Sequence, residues 1–168
     1  MKKEVRLYNV IFPIWLLWLF PQVWLVALPG NLVIDVLVLT AALYTLKHEN
    51  KRAVVKKLWW KFWLFGFLAD FVGVAALLPS MFVGEVFLKV PGLRWAFDLI
   101  QPVMYNAFRS PVAFVWTLAA VALAGYCIYR FDKWAMRDCD LLSDMEKYKI
   151  ALAMAVVTAP WMFFIPVY

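Results

Sequence analysis

Apolar stretches long enough to cross a bilayer recur along this chain, and the basic residues are sorted between them. Of the 17 Lys and Arg residues, 14 fall in three groups: Lys2, Lys3 and Arg6; Lys47, Lys51, Arg52, Lys56, Lys57 and Lys61; Arg130, Lys133, Arg137, Lys147 and Lys149. Only Lys89, Arg94 and Arg109 lie elsewhere. Such sorting is what the positive-inside rule produces, so all three groups are expected on the cytoplasmic face of a cell membrane. Composition points the same way. A chain of 168 residues that is 66% hydrophobic and 17% charged has too little polar surface to cover a soluble core.

Five spans of roughly 20 residues are expected, each close to the ~20 needed for ~30 Å of hydrocarbon. They run from Asn9 to Leu28, Gly30 to Leu46, Phe62 to Phe82, Pro111 to Tyr129 and Lys149 to Tyr168. The fold class is therefore an all-α integral membrane bundle in one domain over residues 1–168, with its N-terminus inside and its C-terminus outside. The first span has a basic start like a signal peptide, but it is too long for a signal core and Pro29 sits at the would-be cleavage site, so it is expected to be retained.

Local punctuation supports the boundaries. Ser110-Pro111 places a capping residue before a proline at the first helical position. Ser143 followed by Glu146 has the form of a capping box. Trp59, Trp60 and Trp63 among Lys56, Lys57 and Lys61 fit anchoring in the headgroup zone. Between the third and fourth spans, residues 93–108 carry Arg94, Asp98, Gln101 and Tyr105 on one helical face, which predicts an external amphipathic interfacial helix bent near Pro102.

Small residues mark where helices approach in lipid. Gly66, Asp70, Gly73 and Leu77 share a face of the third span, and Ala113, Thr117, Ala120, Ala124 and Cys127 form a seam on the fourth. The packing positions are accordingly Gly66, Gly73, Ala120 and Ala124. On the second span Asn31, Asp35, Val38, Ala42 and Thr45 align, with Asn31 placed to cap a helix starting after Pro29-Gly30. At ~1.5 Å per residue, two polar layers are expected: an outer one of Gln22, Asn31, Asp35 and Thr117, and a central one of Asp70, Thr158 and the Val156 carbonyl freed by Pro160.

Asp70 is the strongest functional hint. A carboxylate at mid-span costs about 2.5 to 3.5 kcal/mol on insertion scales, and such residues face a bundle interior or cavity. No basic residue is expected at its depth, so Thr158 or a backbone carbonyl is its expected partner. Asp35 is expected nearer the outer mouth. By contrast Asp132, Asp138, Asp140, Asp144 and Glu146 read as a solvated acidic group in the last basic loop.

Catalytic signals are sparse. One histidine, His48, and two cysteines, Cys127 and Cys139, make no zinc-type ligand set, and no phosphate loop or nucleophile elbow is present. No cofactor, metal site or catalytic residue is expected. The basic groups border apolar segments without a nucleic-acid-binding motif, so the expected partners are the lipid bilayer and other membrane subunits or a homo-oligomer, not nucleic acid. The first functional expectation is a non-enzymatic subunit of a membrane assembly held by helix packing. The alternative is a small proton- or cation-coupled channel or transporter using Asp70, with Asp35 at the outer mouth.

Overall fold

The computed structural model describes residues 21–166, apart from the side chains of residues 21–24 and 27; those residues are all helical or in turns, with no strand. Four helices form the body: α1 (Pro21–Thr45), α2 (Lys51–Leu77), and, after the short helices α3 (Pro79–Lys89) and α4 (Arg94–Ile100), α5 (Pro111–Ala135) and α6 (Asp144–Val157). Each packs against the next, α1 on α2, α2 on α5, α5 on α6, and α6 closes the ring on α1. The result is an up-down-up-down bundle of antiparallel neighbours, the arrangement that short connections favour.

Three helical segments are long and apolar enough to cross a membrane, Leu28–Thr45, Lys51–Lys89 and Pro111–Ala135. Their outward faces carry large apolar side chains, among them Leu25 at 76% and Phe82 at 71% exposure. A bundle apolar on its outside as well as its inside is consistent with a lipid surround.

Several expected boundaries move. No break separates Leu28 from Gly30: α1 runs through Pro29, and Asn31 lies inside a helix instead of capping one. A proline is tolerated there because neighbouring helices and side chains can satisfy the backbone groups it disturbs. Residues 9–20 of the first expected span, with Lys2, Lys3 and Arg6, and the Gln22 side chain lie outside the description. The third expected span continues through a junction at Leu78 into α3, which carries helix to Lys89. The interfacial segment is a seven-residue α4 followed by 3-10 turns at Gln101–Met104 and Ala107–Arg109, so the change of winding falls at Pro102. The last expected span begins at Asp144, earlier than Lys149, and its helix ends at Val157 before a 3-10 turn at Trp161–Phe164. With 14 residues, α6 is only ~21 Å long.

Two ends with different chemistry result. At one end α3, α4 and the 3-10 turns cover the bundle, with Leu77, Ile100, Val103, Ala113 and Ala120 forming a small apolar cluster beneath them. Pro91-Gly92 makes the turn between α3 and α4, and Gly92 adopts φ +87, as the third position of a type II turn demands. At the other end the two basic connections meet. Lys47 takes a left-handed φ of 53 and closes α1, with the His48 amide donating to the Leu43 carbonyl at 3.1 Å and that of Lys47 to Tyr44 at 3.1 Å. This closure turns His48 toward α6, where Nδ1 lies 2.9 Å from Glu146 Oε1. Glu146 in turn completes the capping box with Ser143.

Candidate functional site: carboxylates inside the bundle

Asp35, Asp70 and Asp132 come from three different helices, and none reaches lipid freely. Asp35 is 5% and Asp132 1% exposed, and Asp70 is half-buried. Asp35 and Asp70 lie within electrostatic reach of one another, as do Asp35 and Asp132. No ion pair joins any of the three to a Lys, Arg or His among the described residues.

The pairing of α1 with α2 explains how the first two meet. Antiparallel contact sets Asn31 against Asp70 and Asp35 against Gly66. Asn31 Nδ2 donates to Asp70 Oδ2 at 3.3 Å, while Oδ1 is buried and accepts no hydrogen bond. A Cβ on Gly66 would stand 3.2 Å from Asp35 Oδ2. Gly66 is therefore less a helix-packing notch than the space in which the Asp35 carboxylate sits.

Asp132 arrives from α5. That helix continues past Tyr129 to Ala135, and its buried stripe of Thr117, Ala120, Ala124 and Ile128 extends by one more step of four to Asp132. The residue expected in a solvated loop is thus inside, and both carboxylate oxygens are buried without a hydrogen-bond partner. Continuing from Ala124 in steps of four, through Ile128 instead of Cys127, would have found it. The other acidic residues of that group behave as expected at the surface, with Asp138, Asp140 and Asp144 exposed.

The expected central layer does not form. Thr158 Oγ1 donates to the Met154 carbonyl at 2.9 Å, and the Val156 carbonyl accepts from Trp161 Nε1 at 2.9 Å, so both find partners on their own segment. Nor do Asn31 and Asp35 belong to a layer apart from Asp70, because α1 and α2 cross with those residues facing. Thr117 is fully buried with its hydroxyl unpartnered, nearer the covered end. Of the expected packing positions, Gly73 is buried where an added Cβ would come 3.1 Å from the Ala124 Cβ and 2.9 Å from the Phe163 ring, and Ala120 and Ala124 are buried on α5.

Chemically, the three carboxylates are acceptors without donors among the described residues, apart from the single amide of Asn31. No group of three or more His, Cys, Asp or Glu among the described residues has the arrangement to hold a metal ion. The carboxylates are spread in series along the interior. Both cysteines are free thiols; Cys139 is fully buried in the main core, although it lies in the basic connection. No family model matches the chain, and no curated protein or solved structure is detectably similar to it.

Proposed function

We propose that this is a small, non-enzymatic membrane protein that admits a proton or a monovalent cation to the carboxylates between its helices. Its two described basic connections lie on the cytoplasmic side of the cell membrane, α1, α2 and α5 cross, and α6 lines the fourth side of the bundle. The observation that carries the reading is Asp132, a 1%-exposed carboxylate neither of whose oxygens is hydrogen-bonded to a described residue. Burying one such group without a partner costs several kcal/mol, and a purely structural helix contact has no use for it. Asp35 and Asp70 continue the acidic interior away from the basic end, and a series of carboxylates suits a mobile monovalent ion better than a divalent one, which needs a cage of oxygens.

A second reading, a subunit packed into a larger membrane assembly, is supported by a different feature. An apolar groove of about 630 Å³ runs along the outer faces of α2 and α5, floored by Ala76, Ala119 and Ala120 and walled by Val112, Val115 and Trp116. Small residues on a lipid-facing surface let another helix approach closely.

Reconstitution in liposomes separates the two. Under the first reading the wild-type protein dissipates an imposed proton, sodium or potassium gradient, and Asp132→Asn and Asp70→Asn each reduce the rate at least tenfold without loss of folded protein. Wild-type liposomes as tight as empty ones to all three ions would retire the transport reading and leave the assembly one.

A further inference from the structure

The basic end of α5 holds a groove of about 370 Å³ lined by Tyr129, Arg130, Lys133, Trp134 and Arg137. At ~100° per residue Arg130 and Lys133 lie within about 60° of one another on α5, with Tyr129 and Trp134 flanking them, and Arg137 follows in the turn just past the helix end. All three cations are exposed, and Lys133 Nζ lies over the Tyr129 ring at 5.6 Å. Trp134 is 60% exposed and rests edge-on against Phe65 of α2 at 5.3 Å, which holds its indole at the rim of the groove.

A helix C-terminus is ordinarily a poor place for an anion, because its free carbonyls carry partial negative charge. Here other lysines occupy the carbonyls of the last α5 residue and of the turn that follows it. Lys57 Nζ donates to the Asp138 carbonyl at 2.8 Å, Lys147 to that of Arg137 at 3.4 Å, and Lys61 to that of Ala135 at 3.5 Å. Three lysines thus offset the helix end and leave Arg130, Lys133 and Arg137 to face outward. Among the described residues only Arg137 of the three has a carboxylate within ion-pair distance, Asp138 at 3.4 Å, in a pair where both side chains are more than 70% exposed and so weakly held.

We propose that this groove binds the phosphate of an anionic phospholipid headgroup. Arg130 and Arg137 supply planar donors for the phosphate oxygens, and Lys133 a point charge between them. Tyr129 and Trp134 set the depth, since amphipathic rings of this kind settle at the headgroup level. The lipid is favoured over a free anion because the aromatic rim gives the glycerol and upper acyl chain an apolar surface beside the charge. The proposal requires that α5 crosses a bilayer, not that the carboxylates inside the bundle carry an ion, and the two fail separately.

The test is lipid retention by the detergent-purified protein, read by native mass spectrometry after incubation with phosphatidylglycerol or phosphatidylcholine. Each cation near an anionic surface is worth about fivefold in affinity, so the triple variant Arg130→Gln/Lys133→Gln/Arg137→Gln should lose roughly a hundredfold in phosphatidylglycerol binding. A variant of equal charge change at exposed positions elsewhere, Arg52→Gln/Lys56→Gln/Lys149→Gln, should lose far less. Lys133→Arg should retain binding, and Lys133→Gln alone should show a partial loss if the triple variant proves unstable. Equal losses in the two triple variants would reduce the effect to unspecific charge attraction and overturn the site. So would full displacement of the lipid by inorganic phosphate at millimolar concentration, which would make the groove a site for a free anion.

Discussion

Gly73 and Gly30 are both helical glycines, and replacing each with alanine should move stability in opposite directions. Alanine in place of glycine within a helix is worth about 1 kcal/mol from backbone freedom alone. At Gly30 nothing among the described residues lies within 4 Å of the added Cβ, so that gain stands undiminished. At Gly73 the new carbon would meet the Ala124 Cβ at 3.1 Å and the Phe163 Cε2 at 2.9 Å. Ordinary contact between such carbons lies near ~3.5–4.0 Å. Phe163 can swing, since it belongs to a short 3-10 turn, but the Ala124 Cβ is fixed to the backbone of α5. Relief therefore requires α2 and α5 to separate by several tenths of an ångström along their main contact. Overpacking of this kind costs about 1–3 kcal/mol, which exceeds the propensity gain. For a chain of this size 1 kcal/mol corresponds to roughly 2–4 °C in Tm. Thermal unfolding in mild detergent should then show Gly30→Ala raised by about 2–4 °C and Gly73→Ala lowered by a similar amount, with Gly73→Leu lower still. Gly73→Ala as stable as Gly30→Ala would refute the close approach of α2 and α5.

Two further outcomes follow from single contacts. Asn31→Leu removes the only described donor to Asp70 and should lower stability by about 0.6 kcal/mol, the mean for interhelical hydrogen bonds in membranes, and by no more than about 1.7, whereas Asn31→Leu/Asp70→Leu should recover most of the loss in the same thermal assay. At the basic end, hydrogen bonds from the Ser143 amide and hydroxyl and from His48 hold Glu146 down at about 2, below its ordinary 4.5. A depressed carboxyl stabilises the fold above the ordinary value and loses that contribution as the pH falls through the folded one, so α6 should fray between about pH 4.5 and pH 2 in the wild type but show no such transition in Glu146→Gln, as followed by hydrogen exchange of the first turn.

The helical class, one packing seam and two caps were legible in the sequence because apolar periodicity and capping chemistry follow simple rules. Spacing alone brought out the seam from Ala113 to Ala124, and the caps at Ser110 and Ser143 follow from local chemistry that tertiary contacts do not override; Ser110 Oγ accepts from the amides of Val112 and Ala113. Pro29 misled because proline breaks helices in water, where its disturbed carbonyls have solvent as an alternative, but not necessarily in lipid, where leaving the helix costs more. That one residue determines whether Asn31 is a cap or an interior donor, and with it the depth of Asp35 relative to Asp70. Asp132 escaped for a related reason. Flanked by Arg130 and Lys133 it resembles a loop residue, yet those exposed cations lie about 160° and 100° round α5 from it, and only the register of the seam tells the faces apart.

The order of the carboxylates leads to a sharper expectation than their number. Asp35 lies within electrostatic reach of both Asp70 and Asp132, and Asn31 donates to Asp70 from the turn of α1 next to Asp35. Asp35 is thus the middle member through which the other two can influence each other. If an ion or proton passes along the series, Asp70→Asn and Asp132→Asn should be coupled in the wild-type background, with the double variant differing from the product of the single effects on flux. In an Asp35→Asn background that coupling should vanish, because residues without shared partners act additively. The cycle is read from gradient dissipation in liposomes, with Asp35→Asn alone retaining enough activity to measure or, failing that, from the thermal stability of the same eight proteins. Coupling that persisted undiminished without the Asp35 carboxylate would mean that Asp70 and Asp132 communicate directly or through the backbone, and the serial arrangement would be refuted.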